Sequence, residues 1–177
     1  LLKSSYQHIS LRPEQGRAFV NQLTNMAAAV GQLLKDRGET VGATESSTGG
    51  LVSAALLSIP GASAYFTGGA ANYTHTAREA FIGFSLDDHP RMRSSTEPFV
   101  EIGAAKVREV LGTTWGVAEA GAAGPTGNRY GDDAGHRRNR WYGRGEGPTR
   151  SHGYDKWSPA FKMNCVRLSW ELSSVEK

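Results

Sequence analysis

The sequence predicts an α/β layered domain, and three observations carry the prediction. Apolar residues recur at three- and four-residue steps over residues 13–37, the period of a helix with one buried face. Short runs of small and aromatic residues then alternate with further helical segments, the pattern of strands covered by helices. Glycine is abundant, 22 of 177 residues. That is roughly 12% against a usual ~7%, and it provides the tight turns such alternation needs.

The elements follow in order. Residues 1–14 are polar and aperiodic and read as a loose leader. Residues 15–177 read as a single domain, since the length suits one ordinary domain and not two. Phe19, Leu23, Met26, Ala27, Val30, Leu33 and Leu34 form the first apolar stripe, and Gly38 its stop. Residues 39–45 make a strand candidate, 46–50 a turn, and 51–59 an apolar helix broken by Pro60-Gly61. A second strand suits residues 64–73, and a short helix residues 76–82, stopped by Gly83. Thr96-Glu97-Pro98 opens another helix, with proline near its first turn. Phe99, Ile102, Ala105, Val110 and Leu111 form its buried side, and Gly112 ends it. Residues 115–120 give a third strand, followed by the glycine-rich loop 121–127.

Beyond Gly135 the pattern changes. Aliphatic side chains almost vanish over residues 136–160, and no strand or helix period fits. Burial there is too small to offset an ordering entropy of ~1–2 kcal/mol per residue. An exposed, irregular segment with no central strand is therefore expected. Residues 161–175 recover apolar spacing and read as a terminal helix. Two explanations of the break stay open: divergence of the chain, or a slipped reading frame near Gly135.

Composition narrows the function classes. Hydrophobic residues are 38% and charged residues 21%, which is globular rather than disordered. The single cysteine, Cys165, excludes an intramolecular disulfide and a multi-cysteine zinc site. No apolar run approaches the ~20 residues that cross a bilayer, so no membrane partner is expected. The N-terminus lacks a charged-then-apolar signal segment, and the cytosol is the expected compartment. The net charge of +3 is local. Residues 136–150 hold five arginines against one glutamate, a local +4, so the remaining residues together carry −1. A basic surface spread over the domain is absent, and nucleic acid is not the expected partner.

Three segments carry candidate chemistry. Glu45-Ser46-Ser47-Thr48-Gly49-Gly50 lies between a strand and a helix, where free backbone N–H groups suit a phosphate or carboxylate. A plain helix cap uses the same residue types. Pro60 to Phe66 contains Ser63, with Tyr73 ten residues on and Arg78 five beyond that. A serine nucleophile needs a base, because its hydroxyl is weak at neutral pH. A turn serine and a strand tyrosine read equally simply. The loop from Gly121 to Gly127 lets backbone approach a ligand closely.

Together these segments resemble the C-terminal domain of the competence/damage-inducible CinA family, the nicotinamide mononucleotide amidases. The family pattern is a Glu-Ser-x-Thr-Gly-Gly turn, then Pro-Gly-[Ala/Ser]-Ser-x-x-Phe, a Gly-x-x-x-Tyr strand, and an x-x-Gly-x-Ala-Gly-Pro loop. Here these stand as Glu45–Gly50, residues 60–66, Gly69-Ala70-Ala71-Asn72-Tyr73, and Ala120-Gly121-Ala122-Ala123-Gly124-Pro125. The resemblance covers about residues 20–135. It implies a three-layer α/β/α sandwich with a mixed sheet, whose last strand and helix are degenerate in this chain. It also implies hydrolysis of a pyridine-nucleotide carboxamide with release of ammonia. By motif, Ser63 takes the nucleophile position and Tyr73 the tyrosine beside it. Ser46, Thr48, Gly49, Gly50 and Gly124 take substrate-binding positions. The expected partner is a small-molecule nucleotide, with no metal or other cofactor, and a homo-oligomer is left open. Ser46, Ser63 and Tyr73 are then expected to converge on one pocket, with Thr48-Gly49-Gly50 at its phosphate end.

The chain departs from that pattern twice. The family sequence Tyr-Ser-Asn-Glu-Ala-Lys appears here as Tyr73-Thr74-His75-Thr76-Ala77-Arg78, with arginine in the lysine position. The lysine is the expected general base, and a guanidinium cannot lose its proton near neutrality. Tyr73 or His75 must then substitute. Otherwise the chain is a catalytically impaired CinA-like protein that binds a nucleotide or a partner. The second departure is the apolar strand after the Gly-Pro loop, replaced here by the arginine-rich segment. Gly153-Tyr154-Asp155-Lys156 only faintly resembles the family's Gly-Asp-Arg.

Overall fold

The computed structural model describes residues 13–122, 128–132 and 137–143. Helix α1 spans Pro13–Arg37 and strand β1 spans Val41–Glu45. Helix α2 spans Leu51–Leu57, and a single 3₁₀ turn, Ala62–Ala64, leads into strand β2, Phe66–Ala71. Helices α3 (His75–Ile82) and α4 (Glu97–Leu111) follow, then strands β3 (Trp115–Gly121) and β4 (Arg137–Tyr142). The helix at the N-terminus starts at Pro13, so the last two residues of the expected leader are helical. Residues 1–12, most of the Gly124 loop and the expected terminal helix lie outside the described residues.

The four strands form one mixed sheet in the order β2-β1-β3-β4. β1 runs parallel to both β2 and β3, and β4 runs antiparallel to β3. Central β1 is buried at every position, as expected of a strand covered on both faces. Side chains alternate across the sheet. Val41, Ala43, Trp115 and Val117 point to one side, where they pack with Val30, Leu34, Leu56 and Tyr65. Ala118 and Ala120 point to the other, against Ile82, Phe84, Phe99, Val100, Ala104 and Val107. Helices α1 and α2 thus cover one face, and α3 and α4 the other, which completes a three-layer α/β/α sandwich.

Two glycines set this geometry. Gly112 ends α4 in the left-handed region, φ 62°, where a side chain is strained. Gly116 lets α4 lie close on β3, because a Cβ there would come 1.9 Å from the Ala104 carbonyl oxygen. That atom is backbone and cannot swing aside. Gly116→Ala is therefore expected to lower stability by about 1–3 kcal/mol. A urea midpoint equal to the parent's would contradict the close contact.

The expected loss of the fourth strand is corrected by the structure. β4 pairs with β3 from Gly116↔Tyr142 to Gly121↔Arg137. An antiparallel strand gains its ladder from backbone groups and needs few apolar anchors. Two such anchors are visible. Tyr142 packs against the core on the α4 side, with the Arg108 guanidinium 5.8 Å from its ring centre. Gly143 is buried, and a Cβ on it would meet the Trp115 ring at 2.1 Å. Counting aliphatic residues alone hid a strand built on aromatic and backbone contacts. Residues 144–160 lie outside the described residues.

Candidate functional site at the sheet edge

Parallel strands deliver their C-terminal ends to one edge, the usual place for a ligand in an α/β sheet. Ser46 leaves β1 there, Asn72 and Tyr73 leave β2 there, and Gly121 leaves β3 there. The ends are tied together: Ser46 N–H donates to the Glu119 carbonyl at 3.1 Å, and Asn72 N–H to the Glu45 carbonyl at 2.6 Å.

Ser63 is not part of this constellation. It sits in the turn before β2, next to Tyr65, whose carbonyl accepts from Val41 N–H at the start of β1. The strand of six residues between Ser63 and Tyr73 spans about 20 Å at ~3.3 Å per residue. The expected convergence of Ser46, Ser63 and Tyr73 is therefore corrected. Motif order placed Ser63 beside Tyr73, and strand direction carries the two to opposite edges. Ser46 is the motif serine that stands at the edge with Tyr73.

The Ser46–Gly50 turn is organised by two buried glutamates. Glu45 is 1% exposed and Glu119 5%. Glu45 accepts from Val52 N–H (2.9 Å), Ser53 N–H (2.8 Å), the Ser53 hydroxyl (2.6 Å) and the Thr48 hydroxyl (2.7 Å). Glu119 accepts from Ser46 N–H (3.2 Å), Thr48 N–H (3.0 Å), the Thr48 hydroxyl (2.9 Å) and, in a short contact, the Ser47 hydroxyl. Thr48 is thus committed to the glutamates and does not present its donors to a ligand. Gly49 (φ 63°) and Gly50 (φ 102°) provide the left-handed turn that brings these groups round. Gly124 lies outside the described residues.

Arg78 is the most unusual group at this edge. It is only 6% exposed, held between the Phe84 and Phe99 rings with centroids 5.2 and 5.0 Å away. Its Nε donates to the Phe84 carbonyl at 3.2 Å, and an Nη2–Nδ1 contact of 3.0 Å joins it to His75. A guanidinium only donates, so His75 Nδ1 accepts and the ring hydrogen sits on Nε2. That leaves His75 no free lone pair while the contact holds. No carboxylate lies within ion-pair distance of Arg78 among the described residues. Burial pushes the guanidinium below its ordinary value, an effect opposed by the charges of Tyr130 and Glu79. A cavity of about 20 Å³ adjoins it, lined by Ser46, Asn72, Arg78 and Glu119 among others. Tyr73 stands outside, 78% exposed.

Three polar residues here were not singled out from sequence. Glu119 is the lone acidic residue of an otherwise apolar strand, and that contrast was the available signal. Asn72 is 4% exposed and donates through Nδ2 to the Thr44 hydroxyl at 2.7 Å. Tyr130 accepts from Arg129 Nη2 at 2.7 Å, and this bond, with help from Ser94 and Arg78, holds its phenol below the usual tyrosine value. Its segment is anchored by the Arg93–Asp132 ion pair at 2.7 Å. Neither Asn72 nor Tyr130 has a local sequence signal.

The fold and this edge define a class: an α/β/α domain with a hydroxyl-and-glycine turn at the C-terminal edge of a mixed sheet. The chain belongs to the CinA C-terminal domain family, whose model matches residues 23–156. It is 40% identical over 106 residues to the CinA-like protein of Prochlorococcus marinus (strain MIT 9313), covering 60% of this chain and 25% of that protein. The CinA-like protein of Synechocystis sp. is 41% identical over 102 residues, covering 58% of this chain and 24% of that one. The chain thus spans about a quarter of the length of these relatives. Among solved structures, the competence-damaged protein (CinA) superfamily protein of Klebsiella pneumoniae has a TM-score of 0.68 at 19% identity, covering 86% of this chain and 94% of that one. The competence or damage-inducible protein of Enterobacter asburiae has a TM-score of 0.65 at 26% identity, covering 89% and 98%. Among the described residues no helix is long and apolar enough to cross a membrane.

Proposed function

We propose that this domain hydrolyses the carboxamide of a pyridine nucleotide such as nicotinamide mononucleotide, slowly, with Ser46 as the attacking hydroxyl. The observation that supports it is the shared cavity, which Ser46 and the buried Arg78 both line at the C-terminal edge. Attack on an amide carbon builds negative charge on the carbonyl oxygen. A fixed, water-excluded donor stabilises that charge most effectively, and Arg78 is such a donor. Tyr73, at the rim, is free to meet the nucleotide.

The rate is limited by the proton. Arg78 cannot take it from Ser46, and His75 has its acceptor nitrogen engaged. The family likeness supports the substrate class, and the arginine supports low turnover. A second reading has one observation in its favour. An arginine in the lysine position suits anion binding without catalysis.

Ammonia release from nicotinamide mononucleotide separates the two. Arg78→Lys is expected to raise the rate about 10²- to 10⁴-fold over the parent, the usual contribution of a general base. If neither protein releases ammonia but both bind the nucleotide in calorimetry, the binding reading stands and the hydrolytic one fails.

A further inference from the structure

The turn after β1 carries a second serine hydroxyl, which the reaction above does not use. Ser47 Oγ donates to Glu119 Oε1 in a short contact. Glu119 is buried and Ser47 half-buried. A serine hydroxyl is weak alone and becomes a nucleophile beside a base, provided a further group orients that base. Here Ser46 N–H (3.2 Å), Thr48 N–H (3.0 Å) and the Thr48 hydroxyl (2.9 Å) all bond to Glu119 Oε2. The carboxylate is anchored through one oxygen and meets Ser47 with the other.

The neighbouring hydroxyls lack this combination. Thr48 Oγ1 lies between two carboxylates, 2.7 Å from Glu45 and 2.9 Å from Glu119, so both its flanks are taken. Ser53 Oγ donates to Glu45 at 2.6 Å but is packed against β2, where a Cβ on Gly69 would come 2.0 Å from it. Ser46 meets Glu119 through its backbone N–H. Ser47 Oγ touches a single carboxylate and keeps part of its surface in solvent.

We propose that Ser47 and Glu119 form a nucleophile–base pair that takes acyl groups from activated esters. This goes beyond the amidase reading and does not depend on it. The proton balance sets the substrate class. Glu119 accepts one proton, and a phenolate leaves without one, whereas an amide nitrogen must be protonated to leave. In the first step Ser47 Oγ bonds to the ester carbon and its proton passes to Glu119 Oε1. The C–O bond to the phenol breaks, and phenolate leaves with the electron pair. In the second step a water oxygen bonds to the acyl carbon and the C–O bond to Ser47 breaks. One water proton goes to Ser47 Oγ, the free acid leaves, and Glu119 returns its proton to solvent.

The test uses the whole chain with p-nitrophenyl acetate as probe. Nitrophenolate release gives the rate, and fragmentation mass spectrometry locates the acetyl group. Acetyl on Ser47 is expected in the parent. An unmodified parent, or acetyl on Ser46 in place of Ser47, overturns the proposal. Glu119→Gln keeps an acceptor for the N–H groups and cannot take the proton. It is expected to slow acetylation of Ser47 about 10²-fold or more, the usual contribution of a general base. An unchanged rate overturns the pair. Ser47→Cys separates a lost base from a misshapen turn, because a thiol needs far less help to ionise. It is expected to be acetylated in the Glu119→Gln background as fast as beside Glu119. If the cysteine also loses acetylation there, Glu119 acts only on the shape of the turn, and the proposal fails. Ammonia release enters none of these readouts, so the amidase reading stands or falls separately.

Discussion

Ser46→Ala is expected to remove ammonia release by about 10⁴-fold or more, the scale seen when a serine nucleophile is deleted. Ser63→Ala is expected to leave it within about twofold, the ordinary result of a surface change. Both are best measured in the Arg78→Lys background, where the signal is larger. The contrast follows from strand direction alone. Ser46 follows β1 and Ser63 precedes β2, and the two strands are parallel. The opposite outcome, with Ser63 essential and Ser46 dispensable, would sink both the site and the mechanism.

The largest effect on stability is expected at Glu119. Its carboxylate accepts from two backbone N–H groups and two hydroxyls. Hydrogen bonds to a charged group are each worth roughly 1.5–3 kcal/mol. Against this stands repulsion from Glu45, since the Thr48 hydroxyl lies 2.7 Å from one carboxylate and 2.9 Å from the other. Two charges at ~5 Å in an effective dielectric of about 20 repel by roughly 3 kcal/mol. The donors win, and Glu119→Leu is expected to cost about 2–4 kcal/mol, because it strands the Thr48 N–H and the Ser47 hydroxyl while relieving one repulsion. The Ser46 N–H keeps the residue 119 carbonyl, and the Thr48 hydroxyl keeps Glu45. Glu119→Gln keeps an acceptor for the N–H groups and removes the charge, so a loss of about 1 kcal/mol or less is expected. Urea unfolding of the two variants checks the order. A leucine variant as stable as the parent would show that the turn is held by other means.

Much of the architecture was legible because it follows from period and punctuation. Gly38, Gly83 and Gly112 all adopt left-handed φ and stop helices where the sequence places them. The stripe around Val30 and Leu34 does face the core. What was not legible falls into two kinds. β4 was missed because its pairing is made by backbone, which every residue shares, and its anchors Tyr142 and Gly143 are not aliphatic. The placement of Ser63 was missed for a different reason. Sequence spacing records distance along the chain, whereas the site depends on which edge a strand leaves from. Glu119 and Asn72 acquire meaning only through partners brought together by the sheet, Ser46 and Thr44 among them.

The pairing of β1 with β3 also fixes an order of events. Glu119 meets Ser46 across 73 residues of chain, and Thr40 and Thr114 exchange reciprocal bonds across 74. During synthesis, α1, β1, α2 and β2 emerge first, but the central strand then has a neighbour on one side only. The Ser46 and Thr48 amides have no carboxylate from β3 to receive them until residue 119 arrives. Closing so long a loop is entropically costly and slow, so it gates the step at which the domain becomes cooperative. A nascent chain stopped short of β3 therefore carries Ser46 but not the clamp that holds its turn. Competence at this edge is acquired late and all at once, when the second glutamate docks.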